Sequence, residues 1–309
     1  MSRLTAAAIP GVAYLLAALL AAFSVFGSGF ASVPNLLNVG VQSSILLLLA
    51  LPMTLIIMSE GLDLSMGAVL GLSGVVLAMV LVKGIALPIA LAAALAVGVT
   101  FGIANGLLVV ALGIPPFVAT LGTLGIAQGL ALSVTGGRSV VGIGEALPAL
   151  YASTWLGLPS SIVIAAWAYV AFHVLLYSTR FGVYVFAIGG NRESLALAGV
   201  GVNVYHIAIY ATGGLMAGFA ALLLTGRMNA GHPTAALGME FDAIAAVIVG
   251  GTSFERGNGW LPGTLLGVLT VGVLRNGLNV MGVPSSLQVA SIGLLVIVAL
   301  LIDSIRGQR

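Results

Sequence analysis

The sequence predicts an all-α, polytopic membrane protein of about ten transmembrane helices with both termini cytoplasmic. Three observations carry this. Only 6% of the 309 residues are charged, against about 25% in an ordinary soluble domain. The apolar fraction is 60% and the mean hydropathy +1.22, too apolar for a soluble surface or for a disordered chain. The apolar runs are long and unbroken, unlike the short alternating segments of a β-barrel. At roughly 30 residues per crossing and its loop, the chain holds about ten crossings. It has no cysteine, hence no disulfide, thiolate metal site or cysteine nucleophile. It has no basic tract or basic aromatic surface for nucleic acid.

Charges punctuate the runs. None stands between Arg3 and Glu60, a stretch holding two crossings, Ile9–Phe26 and Leu36–Met58, joined by a loop with Gly27, Gly29, Pro34 and Asn35. The others are Leu64–Val82, Ile85–Ala111, Phe117–Val134, Ser161–Tyr177, Val204–Leu224, Phe241–Thr252, Leu261–Met281 and Leu287–Ile302. The eighth is short and rich in small residues, as expected of a broken or tilted helix surrounded by protein. Arg3, an apolar stretch and the small residues Ala31 and Ser32 imitate a signal peptide. The apolar run exceeds the usual length, so a retained first helix is expected. The positive-inside rule sets orientation. With the N-terminus inside, Arg3, Arg180, Arg192, Arg256, Arg306 and Arg309 are cytoplasmic. Lys83, Arg138 and Arg227 are external, and Arg275 lies in or near the end of a crossing. Of the two long connections, 135–160 is external and 179–203 cytoplasmic. Asn105-Gly106-Leu107 before Gly113-Ile114-Pro115 echoes Asn276-Gly277-Leu278 before Gly282-Val283-Pro284. This is a trace of an inverted repeat or a coincidence, and 43 glycines favour coincidence.

The cytoplasmic stretch 189–199 reads as one short helix with both stops. Asn191 is an N-cap, Glu193 suits the first turn and Gly199 fits the C′ position. So short a helix is marginal alone, and Leu195, Leu197 and Val200 need a docking surface. Either it lies on its own bundle or it plugs into a separate protein. Asp63 or Ser65 caps the third helix. Glu60 sits at a helix C-terminus, where the dipole disfavours an acid. It is a cytoplasmic gate, a contact with a partner protein or a solvated loop acid. Asn105, Asn276 and Asn279, with Gln42, Gln128 and Gln288, lie in or beside crossings. They bond helix to helix or line a path for a hydroxylated solute. Arg275 requires a partner, water or the interface, since an arginine at the midplane costs about 2.5–3.5 kcal/mol. Arg227, His232, Glu240 and Asp242 are placed outside, at an entrance or a docking face. His173 and His206 lack metal-ligand spacing and read as packing or hydrogen-bonding residues.

Several stretches together carry a resemblance. They are 60–67 (EGLDLSMG), 114–123 (IPPFVATLGT), 135–138 (TGGR), 187–191 (AIGGN), 242–253 (DAIAAVIVGGTS) and 276–279 (NGLN). In this order, over nearly the whole chain, they resemble the membrane subunit of a bacterial ABC importer of the ribose-type sugar permease family. The resemblance implies one transmembrane permease domain over 1–309, with a cytoplasmic coupling segment at 179–203. There Asn191, Arg192, Glu193, Leu195, Leu197 and Gly199 meet an ABC ATPase. It further implies an external solute-binding protein, a second permease subunit (identical or similar) and the bacterial inner membrane. The chain lacks a G-x-x-x-x-G-K-[ST] phosphate loop, so ATP and Mg are expected on the partner ATPase. No cofactor, metal or catalytic residue is expected here.

Rival readings remain. Gly71-Leu72-Ser73-Gly74 looks like an intramembrane serine protease motif with His173 as base. An ion-coupled secondary transporter requires an acid deep in a crossing, and none is unambiguous. A passive polyol channel is a third. The crossings offer amides, hydroxyls and glycine backbone rather than fixed charges, which suits a small neutral sugar or polyol. Asn105, Asn276 and Asn279 are its candidate path.

Overall fold

The structure is a computed structural model that describes residues 11–253 and 257–307, with side chains described through residue 298. Arg3, Arg256 and Arg309, used above for orientation, lie outside the described residues, as does the side chain of Arg306. The helices are α1 (Gly11–Phe26), α2 (Val33–Met58), α3 (Met66–Val82), α4 (Leu87–Val110), α5 (Pro116–Thr135), α6 (Ala146–Ala152), α7 (Ser160–Ser178), α8 (Arg180–Leu197), α9 (Val202–Met228), α10 (Met239–Val249), α11 (Leu261–Val280) and α12 (Ser285–Gly307). Two-residue strands β1 (Val140–Val141), β2 (Thr154–Trp155), β3 (Leu158–Pro159) and β4 (Ala230–Gly231) form the pairs β1–β4 and β2–β3, both antiparallel. Ten helices coincide with the ten apolar stretches. Six of them are long and apolar enough to cross a membrane: α2, α4, α5, α7, α9 and α11.

Residues without bulk decide the tightest helix pair. On α4, Ala90, Ala94, Gly98, Gly102 and Gly106 recur every four residues and so share one face. That face meets Tyr210, Gly214 and Gly218 of α9. A Cβ on Gly98 would strike the Gly214 carbonyl, and one on Gly214 the Gly98 carbonyl. Lipid tails are as apolar as leucine, so close backbone approach rather than water exclusion drives such pairing. Gly250 against Gly263, and Gly267 against the Ala246 carbonyl, do the same between α10 and α11.

Two sets of four helices share one pairing scheme. α3 packs on α4, α5 and α9; α10 packs on α11, α12 and α2. α4 packs on α9 and α5, as α11 packs on α2 and α12, and α2 and α9 meet at the centre. The echoed motifs fall at equivalent turns, α4 to α5 and α11 to α12. In both, a glycine takes positive φ, Gly113 at 68° and Gly282 at 75°. In both, an amide bonds back five residues, Leu112 N–H to the Leu107 carbonyl and Val283 N–H to the Leu278 carbonyl. Coincidence is therefore the wrong reading of the echo: it marks the same junction in each set.

Three local expectations are corrected. The connection 179–203 is not a loop with one short helix. α8 starts at Arg180, capped by the Thr179 hydroxyl, and breaks at Asn191 (φ −160°, ψ 88°) before a second short helix. The long connection 135–160 contains α6 and three strands. The eighth stretch is helical only over α10, 11 residues or about 16 Å, half of the roughly 30 Å hydrocarbon layer. The preceding segment, 229–238, runs along α3. Gly231 lies against Ala78 and the Gly74 carbonyl, the Pro233 carbonyl against Gly71, and the Ala236 carbonyl against Gly67. Pairing of β4 with β1 satisfies part of its backbone, as protein-surrounded irregular chain requires.

Candidate functional site

Shortness of α10 leaves a cavity of about 590 Å³ walled by α2, α9, α10, α11 and α12 and by the end of segment 229–238. Its polar lining consists of Gln42, Ser43, Arg227, Asp242 and Arg275. The Arg275 guanidinium, through Nη2, donates to Asp242 Oδ2 at 2.8 Å and Oδ1 at 3.1 Å. The side chains are 38% and 10% exposed. Arg275 thus has the partner that its setting required. Ser43 Oγ is buried without a hydrogen-bond partner and faces Gly272, whose Cβ would collide with it. Arg227 ends α9 at the cavity edge, near Tyr151 of α6. Burial lifts the Tyr151 phenol above its ordinary range, and the Arg227 charge opposes that. A second cavity, about 410 Å³ between α4, α7 and α9, has no charged side chain in its wall and is lined by Trp167, Phe172, Phe219 and other apolar residues.

The sequence-predicted amides lie elsewhere. Asn105 is fully buried at the centre of a polar knot. Its Nδ2 donates to Ser65 Oγ at 2.8 Å and to both Asp63 oxygens at 3.3 Å, and Thr123 Oγ1 donates to its Oδ1 at 2.6 Å. Asn276 is buried and exchanges amide bonds with Asn35 at 2.9 and 3.2 Å. Asn279 is exposed near the end of α11. None of the three is among the residues lining the large cavity. Gln288 donates to the Val283 carbonyl, and Gln128 has a buried amide without a partner.

Ser65 occupies the position before α3, yet neither it nor Asp63 caps that helix. Asp63 Oδ1 instead accepts from Ser65 N–H at 2.9 Å and Ser65 Oγ at 2.6 Å. The carboxylate ties the α2–α3 connection to α4, and Thr120 and Tyr210 hold the adjoining Leu62 carbonyl. Glu240, at the start of α10, is likewise buried and accepts from Gly238 N–H at 3.1 and 3.2 Å. Glu60 is exposed, with φ 61°. It closes α2 as C′ of a Schellman turn, with Gly61 N–H on the Ile56 carbonyl and Glu60 N–H on the Ile57 carbonyl. That place ordinarily belongs to glycine.

On α8 the Gly189 backbone lies against the Met58 carbonyl and Gly257, with no room for a Cβ. Asn191 Oδ1 accepts from Ser194 N–H at 2.8 Å, an N-cap bond. Gly199 takes φ 79° beyond the helix end. Arg192 donates to Asn203 Oδ1 at 3.0 Å, and Glu193 is exposed. The two leucines divide. Leu195 is half-buried on the bundle's own core, whereas Leu197 is 84% exposed. The expectation that both lack a surface is right only for Leu197.

No serine protease pair forms. Ser73 is fully buried with no partner for its hydroxyl, and exposed His173 stacks between Tyr169 and Tyr177. His206 is buried beside Tyr210. Sequence reasoning overlooked Ser43, Thr123, Asn35 and the extended segment before α10. Thr120 and Thr123, one turn apart, were a visible signal for a polar helix face. Ser43 carried none among the chain's many serines. Asp242 and Arg275 were each noticed but not paired, because 33 residues and a helical hairpin separate them.

Residues 35–301 match the family described as branched-chain amino acid transport system / permease component. The chain is 39% identical to the ribose import permease protein of Bacillus subtilis (strain 168), over 91% of this chain and 88% of that protein. It is 35% identical to the Escherichia coli (strain K12) ribose import permease, over 93% and 90%. It is 33% identical to the L-arabinose transport system permease of the same organism, over 95% and 89%. No solved structure matches. With relatives at this identity covering nine-tenths of the chain, the chain belongs to the sugar ABC importer permease family.

Proposed function

We propose that this chain imports a small neutral sugar, such as a pentose or hexose, as one of two permease subunits, identical or similar. They work with a cytoplasmic ABC ATPase and an external solute-binding protein in a bacterial inner membrane. Helices α1–α5, α7 and α9–α12 make ten crossings, α10 completed by segment 229–238, and both termini are cytoplasmic. The reading is supported by the ribose, allose and arabinose permeases among its relatives. The observation that carries the coupling role is Leu197, an exposed leucine on a two-turn helix bounded by the Asn191 cap and Gly199. A leucine presented by a short capped helix outside the apolar stretches suits contact with a partner protein. Asn191, Arg192, Glu193 and Leu195 shape the helix that presents it. Glu60 stands at the cytoplasmic end of α2. The Asp63–Ser65–Asn105 knot, with Asn276, meets solute only if the helices part during the cycle; Asn279 is already exposed.

Proteoliposomes holding the chain with its ATPase and binding protein test this. ATP-dependent uptake of D-ribose, D-allose or L-arabinose is expected. Uptake driven by an ion gradient without ATP would favour the secondary transporter, for which the buried acids Asp63, Glu240 and Asp242 are the structural encouragement among the described residues. All three already accept hydrogen bonds, which suits fixed structural acids. The chain lacks cysteine, so introduced cysteines report topology cleanly. Labelling of an active Arg192→Cys protein by an external impermeant reagent would overturn the orientation.

A further inference from the structure

The large cavity holds a set of polar groups that packing alone does not explain. Asp242 lies in the first turn of α10 and Arg275 toward the end of α11, and both contacts to the carboxylate come from one guanidinium nitrogen, Nη2. No other hydrogen bond of Arg275 forms among the described residues, so donors on Nε and Nη1 stay free beside the cavity. Gly272 stands one turn before Arg275 on the same face of α11, and Ser43 Oγ is set against it, buried and unpartnered. The Ser43 hydroxyl is closed off behind Gly272, so the ion pair is the polar feature that faces the cavity here. The absence of a side chain at Gly272 is what gives Ser43 its room. Gln42, one residue away, also lines the cavity.

We propose that Asp242 and Arg275 form a subsite that holds adjacent hydroxyl groups of a neutral sugar during passage. The proposal rests on the import reading above. Each sugar hydroxyl both donates and accepts. A carboxylate that only accepts beside a guanidinium that only donates therefore satisfies two neighbouring hydroxyls in opposite senses. Bonds to ionised groups are the stronger ones, while the two charges cancel within the pair, so the pair presents no net charge to a neutral solute. Arg227, exposed at the edge, is the remaining charge in the lining. The apolar remainder, including Phe241, Ile292 and Val296, offers surface to the C–H faces of a sugar ring. The second cavity lacks such a pair and fits lipid or helix instead.

The assembled transporter in proteoliposomes provides the test, with D-ribose and 2-deoxy-D-ribose as probes. The double variant Asp242→Asn/Arg275→Gln removes both charges and most of the guanidinium donors without leaving an unpaired buried charge, and assembly with the partners controls for folding. Every preparation carries the same binding protein, so its preference cancels when rate ratios are compared between variants. We expect D-ribose uptake to fall about tenfold and the ribose-to-deoxyribose ratio to shrink. Equal loss for both sugars, or an unchanged rate, would overturn the subsite. A wild-type transporter that moves no sugar would instead overturn the import reading, and the subsite with it. Gln42→Cys, on the cavity wall, gives a second measurement that leaves the ion pair intact. D-ribose in excess should slow its alkylation by N-ethylmaleimide, and sucrose should not; no protection counts against the proposal.

Discussion

Helices α3 and α10 hold corresponding places in the two four-helix sets, and they differ in what precedes them. α3 follows a short connection whose Asp63 is locked to Ser65 and Asn105, and its 17 residues pack from end to end. α10 follows ten residues of extended and turning chain and runs only 11. The polar group at the first junction is consumed by helix–helix bonding. At the second, the shortened helix opens a cavity and leaves an ion pair on its wall. One pairing scheme thus yields a closed joint in one half and an open one in the other. The difference lies in backbone conformation more than in composition.

The largest expected effect comes from breaking the glycine seam between α4 and α9 inside one set. Gly214→Val places a side chain against the Gly98 carbonyl, where only backbone could yield. Overpacking of this kind costs about 1–3 kcal/mol or more, so loss of folded yield in detergent is expected. Gly122→Val, with nothing within reach of its Cβ, should be tolerated. Equal behaviour of the two variants would refute the glycine seam.

Next comes the closed joint itself. Asp63→Ala strands Ser65 and the Asn105 amide and should cost about 3 kcal/mol, read as a lower Tm. Asp63→Asn, which retains an acceptor, should recover most of that. If both variants are as stable as the parent but inactive, the knot is a gate and not a joint.

The two leucines of α8 sharpen the comparison outside the two sets. Leu197→Asp should leave stability unchanged and sever ATP hydrolysis from uptake. Leu195→Asp should also lower Tm, by an amount set by the roughly 1.5–3 kcal/mol of a buried leucine, in part. Normal coupled uptake by a stable Leu197→Asp protein would remove α8 from the ATPase interface.

The smallest effect is at the end of α2. A non-glycine residue at φ 61° costs roughly 1 kcal/mol, so Glu60→Gly should raise Tm slightly and leave uptake intact. Loss of uptake with the same rise in Tm would show that the Glu60 carboxylate makes a contact in the assembled transporter.

Composition and periodicity by themselves determined the membrane class, the ten apolar stretches, the cap at Asn191 and the stop at Gly199. These depend on local chemistry: hydrocarbon tolerates few charges, and a helix end requires a nearby acceptor or a residue free to take positive φ. The family was legible because its motifs are contiguous. Only the tertiary structure decided that Asp63 joins α4 instead of capping α3, that Asn105 and Asn276 face other helices, and that Leu195 has a surface while Leu197 has none. It also decided that the eighth apolar stretch is helical over only 11 residues, after a turning segment, and that Asp242 meets Arg275. Each of these depends on which helices are neighbours. In a chain where nearly every helix is apolar all round, no amphipathic face announces the neighbour. The glycine spacing that sets it constrains how closely two helices approach, not which polar groups that approach brings together.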